Sequence, residues 1–157
     1  PMFRAKAPAV IVNRYGKGFA VYLNLDFRDY GKLRLLPPEG KAHRDLMRNL
    51  LKMAGLEAPV KIVNADTGQE VACVEVWRYK GKGAEYVAVI RNPEFRISEL
   101  GQVGYSASEA LEKPERIQIT FARKSRIRNV MTGQDYGVTA QLTSGFEPWT
   151  PLIFELR

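Results

Sequence analysis

Cys73 lies between Ala72 and Val74, and Glu75 between Val74 and Val76, so a thiol and a carboxylate share one short apolar stretch. A reactive thiol needs an electropositive, accessible setting, and apolar flanks point instead to a buried structural cysteine. Glycoside cleavage needs a pair of carboxylates at a defined separation. Glu75 has no sequence-defined partner for that work, and a salt bridge across a sheet accounts for it more simply. His43 is the only histidine, and it falls in the first turn of a predicted helix with no Cys, Ser or carboxylate specified beside it. Packing or capping is its expected role. One cysteine and one histidine cannot make the usual zinc quartet, and one cysteine makes no internal disulfide. Gly16-Lys17-Gly18 lacks the surroundings of a phosphate loop and reads as a hairpin turn, and no Gly-x-Ser-x-Gly elbow is present. No catalytic, cofactor-binding or metal-binding residue is therefore assigned.

Aromatic residues offer a binding chemistry instead. Trp77 and Tyr79 share one face of a predicted strand by period two, and with Tyr86, Tyr136 and Trp149 they could present a stacking surface to a sugar ring. Covering a core or a helix is the competing use, because aromatic side chains bury large areas. Trp77, Tyr79 and Trp149 are the candidate carbohydrate-binding residues.

The composition sets the frame for these side chains. In 157 residues, 45% are apolar and 26% charged, as in globular proteins rather than disordered, collagenous or disulfide-rich chains. No run of 18 apolar residues occurs, so no transmembrane helix and no membrane partner is expected. The formal net charge of +7 favours attraction to phosphates without locating a site. The basic residues are dispersed between Lys41, Arg44, Arg48 and Lys52 and a later group, Arg116, Arg123, Lys124, Arg126 and Arg128. Neither group sits in a helix-turn-helix, zinc-finger or RNP pattern.

The elements come in two textures. Ala9–Asn13 and Phe19–Leu25 are apolar runs around the turn Tyr15–Gly18, a hairpin whose strands look covered on both faces. After a loop broken by Pro37-Pro38, Leu46, Met47, Leu50, Leu51 and Ala54 form one apolar stripe of a helix over Ala42–Ala54, ended by Gly55 and Pro59. From Val60 onward about seven short strands alternate with turns. They are Val60–Val63, Val71–Tyr79, Glu85–Arg91, Arg116–Phe121, Ser125–Met131, Tyr136–Leu142 and Leu152–Leu156, with a polar insertion after Asn92-Pro93. Strict alternation predicts Ile117, Ile119 and Phe121 inward. The fold class expected is mainly β: an antiparallel β-sandwich preceded by a β-hairpin and one amphipathic helix from an incomplete α/β unit. The domain expectation is residues 1–58 for the α/β remnant and 59–157 for the β-sandwich. Two doubly apolar strands and one helix cannot cover their own faces, so this first part needs a further layer.

Pro8-Ala9-Val10-Ile11-Val12-Asn13-Arg14-Tyr15-Gly16-Lys17-Gly18 followed by Val21-Tyr22-Leu23-Asn24-Leu25-Asp26 resembles a known hairpin. It is similar to the closing hairpin of the glutamine-amidotransferase-like domain in β-galactosidases of glycoside hydrolase family 42. The helix over His43–Ala54 occupies the matching place. The resemblance continues into the small β domain that closes such chains, at Ile127-Arg128-Asn129-Val130-Met131-Thr132-Gly133 and Pro151-Leu152-Ile153-Phe154. Phe95 to Lys113 has no counterpart there. The resemblance implies that the catalytic acid and nucleophile are glutamates of an N-terminal (β/α)₈ barrel, which this chain is too short to contain. It also implies a link between the amidotransferase-like domain and oligomer formation.

The expected function is that of a non-catalytic C-terminal fragment of a β-galactosidase-like glycoside hydrolase, structural or assembling in role, with a start at Pro1 that suits a cut piece. Its partners would be the rest of the parent enzyme or copies of itself. A carbohydrate-binding β-sandwich module, with a saccharide as partner, is the alternative. A basic nucleic-acid-binding domain is the third reading. No cofactor is expected.

Overall fold

The computed structural model describes residues 8–28, 30–33, 40–92 and 113–157. Most of the polar insertion from Phe95 to Lys113, and the Pro37-Pro38 loop break, lie outside the described residues. The described residues fall into two compact units, one up to Glu57 and one from Ala58.

The first unit opens with a hairpin of β1 (Val10–Tyr15) and β2 (Gly18–Leu23), paired antiparallel from Val10–Leu23 to Tyr15–Gly18. That register gives Val10, Val12, Phe19, Val21 and Leu23 one face and Ile11, Ala20 and Tyr22 the other. The doubly apolar reading of these strands holds, yet their covering is missing. Phe19 remains 49% exposed and Tyr22 62%. A four-residue turn of helix, α1 (Tyr30–Leu33), precedes α2 (Lys41–Met53). As predicted, α2 stops at Ala54 and Gly55, the latter at φ 75°. No residue of α2 is fully buried; Leu46, Met47 and Leu50 are half-buried and Leu51 and Met53 exposed. Among the described residues of this unit, no hydrophobic side chain is fully buried.

The second unit is one six-stranded antiparallel sheet, built from β3 (Val60–Asn64), β4 (Val74–Lys80), β5 (Glu85–Arg91), β6 (Glu115–Asn129), β7 (Asp135–Phe146) and β8 (Leu152–Leu156). The mainly β, antiparallel class is as the sequence indicates. Two of the predicted strands, Arg116–Phe121 and Ser125–Met131, are a single strand, β6. Its first half pairs with β3 and its second half with β8, while β7 runs along its other edge. Between Thr120 and Ser125 the register against β7 slips, so β6 takes extra residues there and bends. The six strands thereby form one sheet curled on itself.

The curl encloses the core. Val60, Val87, Val89, Ile117, Ile119, Phe121, Ile127, Leu142, Phe146, Leu152, Phe154 and Leu156 form one buried cluster. Ile117, Ile119 and Phe121 point inward as their alternation predicts. The strand predicted from Val71 begins only at Val74. Cys73 has φ 56°, a left-handed conformation no strand residue adopts, and is fully buried.

Two turns of this sheet are the same structure. Asn64-Ala65-Asp66-Thr67-Gly68-Gln69 follows β3, and Asn129-Val130-Met131-Thr132-Gly133-Gln134 follows β6. In each, the asparagine Oδ1 accepts two backbone N–H groups: those of Asp66 and Thr67, and those of Met131 and Thr132. In each, the glycine N–H donates to the asparagine carbonyl at 2.9 Å. Gly68 and Gly133 sit at φ 69° and 77°, where a side chain would be strained.

Ile119→Ala removes a side chain with no solvent exposure and should cost about 2–5 kcal/mol. Lys124→Ala, on the exposed bend, should stay within about 0.5 kcal/mol. Asn129→Ala orphans two turn N–H groups beside a buried position and should cost about 1–3 kcal/mol. Urea titrations of the three variants read these differences directly.

Candidate functional site

Three places in the second unit bring chemistry-bearing side chains together. The first is a cleft of about 240 Å³ between β3 and the β4–β5 pair. Val60, Val87, Phe121 and Leu156 make an apolar floor, and Arg78, Lys80, Glu85 and Arg123 stand around its mouth. Glu85 Oε1 accepts from Arg78 Nε at 2.5 Å, and Arg123 Nη2 lies 3.7 Å from its Oε2. The Arg78 guanidinium holds the Glu85 carboxyl below its ordinary value of 4.5. Arg126 does the same to Asp135, and Arg157 to Glu155. These carboxylates are ionised acceptors, whereas a general acid working near neutrality needs the opposite shift.

The second place was not foreseen. Arg91 is only 5% exposed at its side chain, with Nη2 3.5 Å from Glu115 Oε2 and Nη1 donating to the Ala72 carbonyl at 3.4 Å. Its guanidinium carbon stands 5.1 Å from the Phe146 ring centroid. Among the described residues, its Nε and Nη2 have no hydrogen-bond partner. The neighbouring Asn92 donates Nδ2–H to Glu75 Oε1 at 2.6 Å and its own N–H to the Cys73 carbonyl at 2.7 Å. Glu75 is thus held in a structural hydrogen bond, and Cys73 anchors the same corner. The period-two signal for Arg91 was present, since Val87, Val89 and Arg91 share the inward side of β5.

The third place is the outer face of β4 and β5. Trp77 is 50% exposed and Tyr79 56%. Register places Trp77 opposite Ala88 and Tyr79 opposite Tyr86; Ala88 in turn faces Ile153, and Tyr86 faces Glu155. Tyr86 Oη donates to Glu155 Oε1 at 3.2 Å, and Arg157 Nη2 donates to the same oxygen at 2.8 Å. Trp149 is exposed but belongs to the connection between β7 and β8, not to this strand pair. Tyr136 packs edge-on to Phe154 against the core. In the first unit, His43 packs its ring against Phe27 and Tyr30 at 5.9 and 6.1 Å, as expected of a packed histidine. Among the described residues, no group of three or more His, Cys, Asp and Glu side chains could hold a metal ion.

Some of the basic residues are held in ion pairs. Arg116 pairs with Asp66 at 2.9 Å and Arg126 with Asp135 at 2.7 Å. On α2, Lys41 and Arg48 both reach Asp45.

The class defined by these observations is a curled antiparallel β domain with an aromatic outer face, preceded by a hairpin and helix. No family model matches the chain, and no curated protein matches it. Solved structures do resemble it in fold. Gan42B, a GH42 beta-galactosidase from G. stearothermophilus, matches with a TM-score of 0.57 at 18% identity, over 99% of this chain and 16% of that one. A beta-galactosidase from Bacillus circulans sp. alkalophilus matches with a TM-score of 0.57 at 16% identity, over 97% and 16% of the two chains. This chain therefore corresponds in fold to a small part of those proteins.

Glu85 gives a pH test of the cleft. Its folded pKa is depressed, so its ion pair stabilises fully above the unfolded value and is lost as pH falls through the folded one. Glu85→Gln should flatten the fall in urea midpoint as pH drops below the ordinary carboxylate value of 4.5, relative to the unaltered chain. Equal slopes would show that Glu85 contributes nothing to acid sensitivity.

Proposed function

We propose that the chain is the non-catalytic, C-terminal part of a larger β-galactosidase-like glycoside hydrolase, and that its hairpin and helix form a seat for the rest of that protein or for a second copy. The observation that carries this reading is the fold match itself, which takes in almost the whole of this chain but only 16% of the solved β-galactosidases. The uncovered hairpin supports it. Val12, Phe19 and Val21 on one face, with Ile11 and Tyr22 on the other, are all exposed. An isolated two-stranded hairpin is marginal in water, and a contiguous apolar surface commonly marks an interaction site. Two carboxylates about 5 Å apart, the requirement for a retaining glycosidase, are supplied in this reading by the larger protein.

Two measurements test it. The purified chain should not hydrolyse an aryl β-galactoside; turnover abolished by changing one of its own Glu or Asp residues would overturn the non-catalytic assignment. Light scattering should show association that Val21→Asp and Phe19→Asp reverse. A clean monomer whose hairpin amides are protected from hydrogen exchange would mean that the seat is already filled within the chain.

A further inference from the structure

We propose that the outer face of β4 and β5 is a saccharide-binding platform, on which Trp77 and Tyr79 stack against galactosyl rings of a glycan. The platform stands on the geometry of the second unit; the choice of galactosyl rings rests on the β-galactosidase-like reading above.

Trp77 and Tyr79 alternate along an edge strand, which sets their attachment points about 6.8 Å apart on one side of the sheet. Both expose about half their surface, so neither serves the core. Beside the indole stands Ala88, between Trp77 and Ile153 in the register. Its small side chain leaves a shallow shelf along the ring. Beside Tyr79 stand Tyr86 and then Glu155. A galactosyl ring fits this pairing of surfaces. Its axial 4-hydroxyl clears one face of the ring, leaving C–H groups to meet an aromatic plane, while its other hydroxyls seek acceptors at the edge.

The polar rim supplies those acceptors. Arg157 and Tyr86 both donate to Oε1 of Glu155, and among the described residues its Oε2 takes no hydrogen bond. Arg157 keeps this carboxylate ionised, an acceptor only. Glu75 marks the other end of the same face, two residues before Trp77. Carboxylates flanking the aromatics repel phosphates; Arg126 and Arg157 nearby are paired with Asp135 and Glu155, and Arg128 stands opposite Glu155 in the register, its charge helping to hold that carboxylate ionised. A nucleic-acid surface would need uncompensated cations here. The arrangement favours a neutral glycan.

The chain contains two tryptophans, so Trp149→Phe makes Trp77 the sole indole reporter. Affinity electrophoresis of the full chain in a soluble galactan, with dextran as control, should show retardation by galactan alone. Galactan should also shift the Trp77 fluorescence of the Trp149→Phe chain. Trp77→Ala should weaken retardation roughly tenfold, and Tyr79→Ala several-fold, as loss of an aromatic contact implies. Trp77→Phe, which keeps a ring, should retain most of it, and circular dichroism should show the folded sheet in all three. Absence of retardation, or equal retardation of the Trp77→Ala chain, would overturn the platform. Equal retardation in dextran would overturn its galactosyl assignment. Tighter, steeply salt-dependent binding of a single-stranded oligonucleotide would make the face a nucleic-acid surface instead. Neither Trp77 nor Tyr79 belongs to the hairpin, so failure here leaves the assembly reading intact, and failure of hairpin association leaves this one intact.

Discussion

Every layer of the β unit depends on β6 being a single strand. Fifteen residues from Glu115 to Asn129 run as one strand across a bulge, and three different strands share their edges. The bend at residues 122–124 lets this happen. Ala122 donates its N–H to the Pro59 carbonyl, closing the β3 pairing, and Arg126 and Arg157 exchange both backbone bonds, opening the β8 pairing. A straight β6 would have left one half of its inward face open to water. Bent, it carries Ile117, Ile119 and Phe121 over one side of the core and Ile127 over the other. A second irregularity, at Ile127–Arg128 against β7, falls where Gly137 turns to φ 71° and Asp135 Oδ1 takes its N–H at 2.8 Å. Curvature comes from these two places, and the cleft mouth at Arg123 lies on the first of them.

The same bend sorts the polar groups. Ion pairs that cross strands lie on edges and outer faces, where exchange of water for a partner costs little. Arg91 is the exception, a cation drawn inside by the alternation that buries Val87 and Val89. Glu115, across the chain from it, opens β6, so this pair ties together the two ends of the connection between β5 and β6. Breaking a buried pair leaves an uncompensated charge. Arg91 therefore specifies which strands meet at that corner more than it adds net stability. Phe146 beneath the guanidinium supplies what the sparse hydrogen bonding does not.

Much of this was legible in the residues because period and punctuation agreed. Ile117, Ile119 and Phe121 read as inward from alternation alone, and Gly55 read as the end of α2 from the stripe before it. The hairpin's doubly apolar strands were equally plain. What escaped was what depends on distant partners. Nothing local says that Arg116–Phe121 and Ser125–Met131 are one strand, because the Arg123-Lys124 pair looks like a turn and behaves as a bulge. Cys73 shortens β4 through a positive φ that its residue type does not announce. The repeated turn is the reverse case: Asn-x-x-Thr-Gly-Gln stands twice in the sequence, and its asparagine, threonine and glycine each have a physical reason to be there. Of the candidate aromatics, Trp77 and Tyr79 share a face as their spacing requires, while Trp149 and Tyr136 go elsewhere because strand period places only neighbours on the same strand.

The two faces of the sheet consequently carry different burdens. On the concave side apolar side chains from five strands are committed to one cluster, and the cleft opening is rimmed by a carboxylate already held between Arg78 and Arg123. A ligand entering there would have to break an ion pair to gain an apolar floor. On the convex side Trp77 and Tyr79 can be contacted without disturbing a core residue, because Val76 and Arg78, which alternate with them along β4, face the other way. The first unit poses the inverse problem, since its apolar strands are exposed with no core to serve. The labour divides physically: the β unit has a buried core, the hairpin has surface that water penalises and a protein would cover, and the outer sheet face has exposed aromatics beside the ionised Glu155.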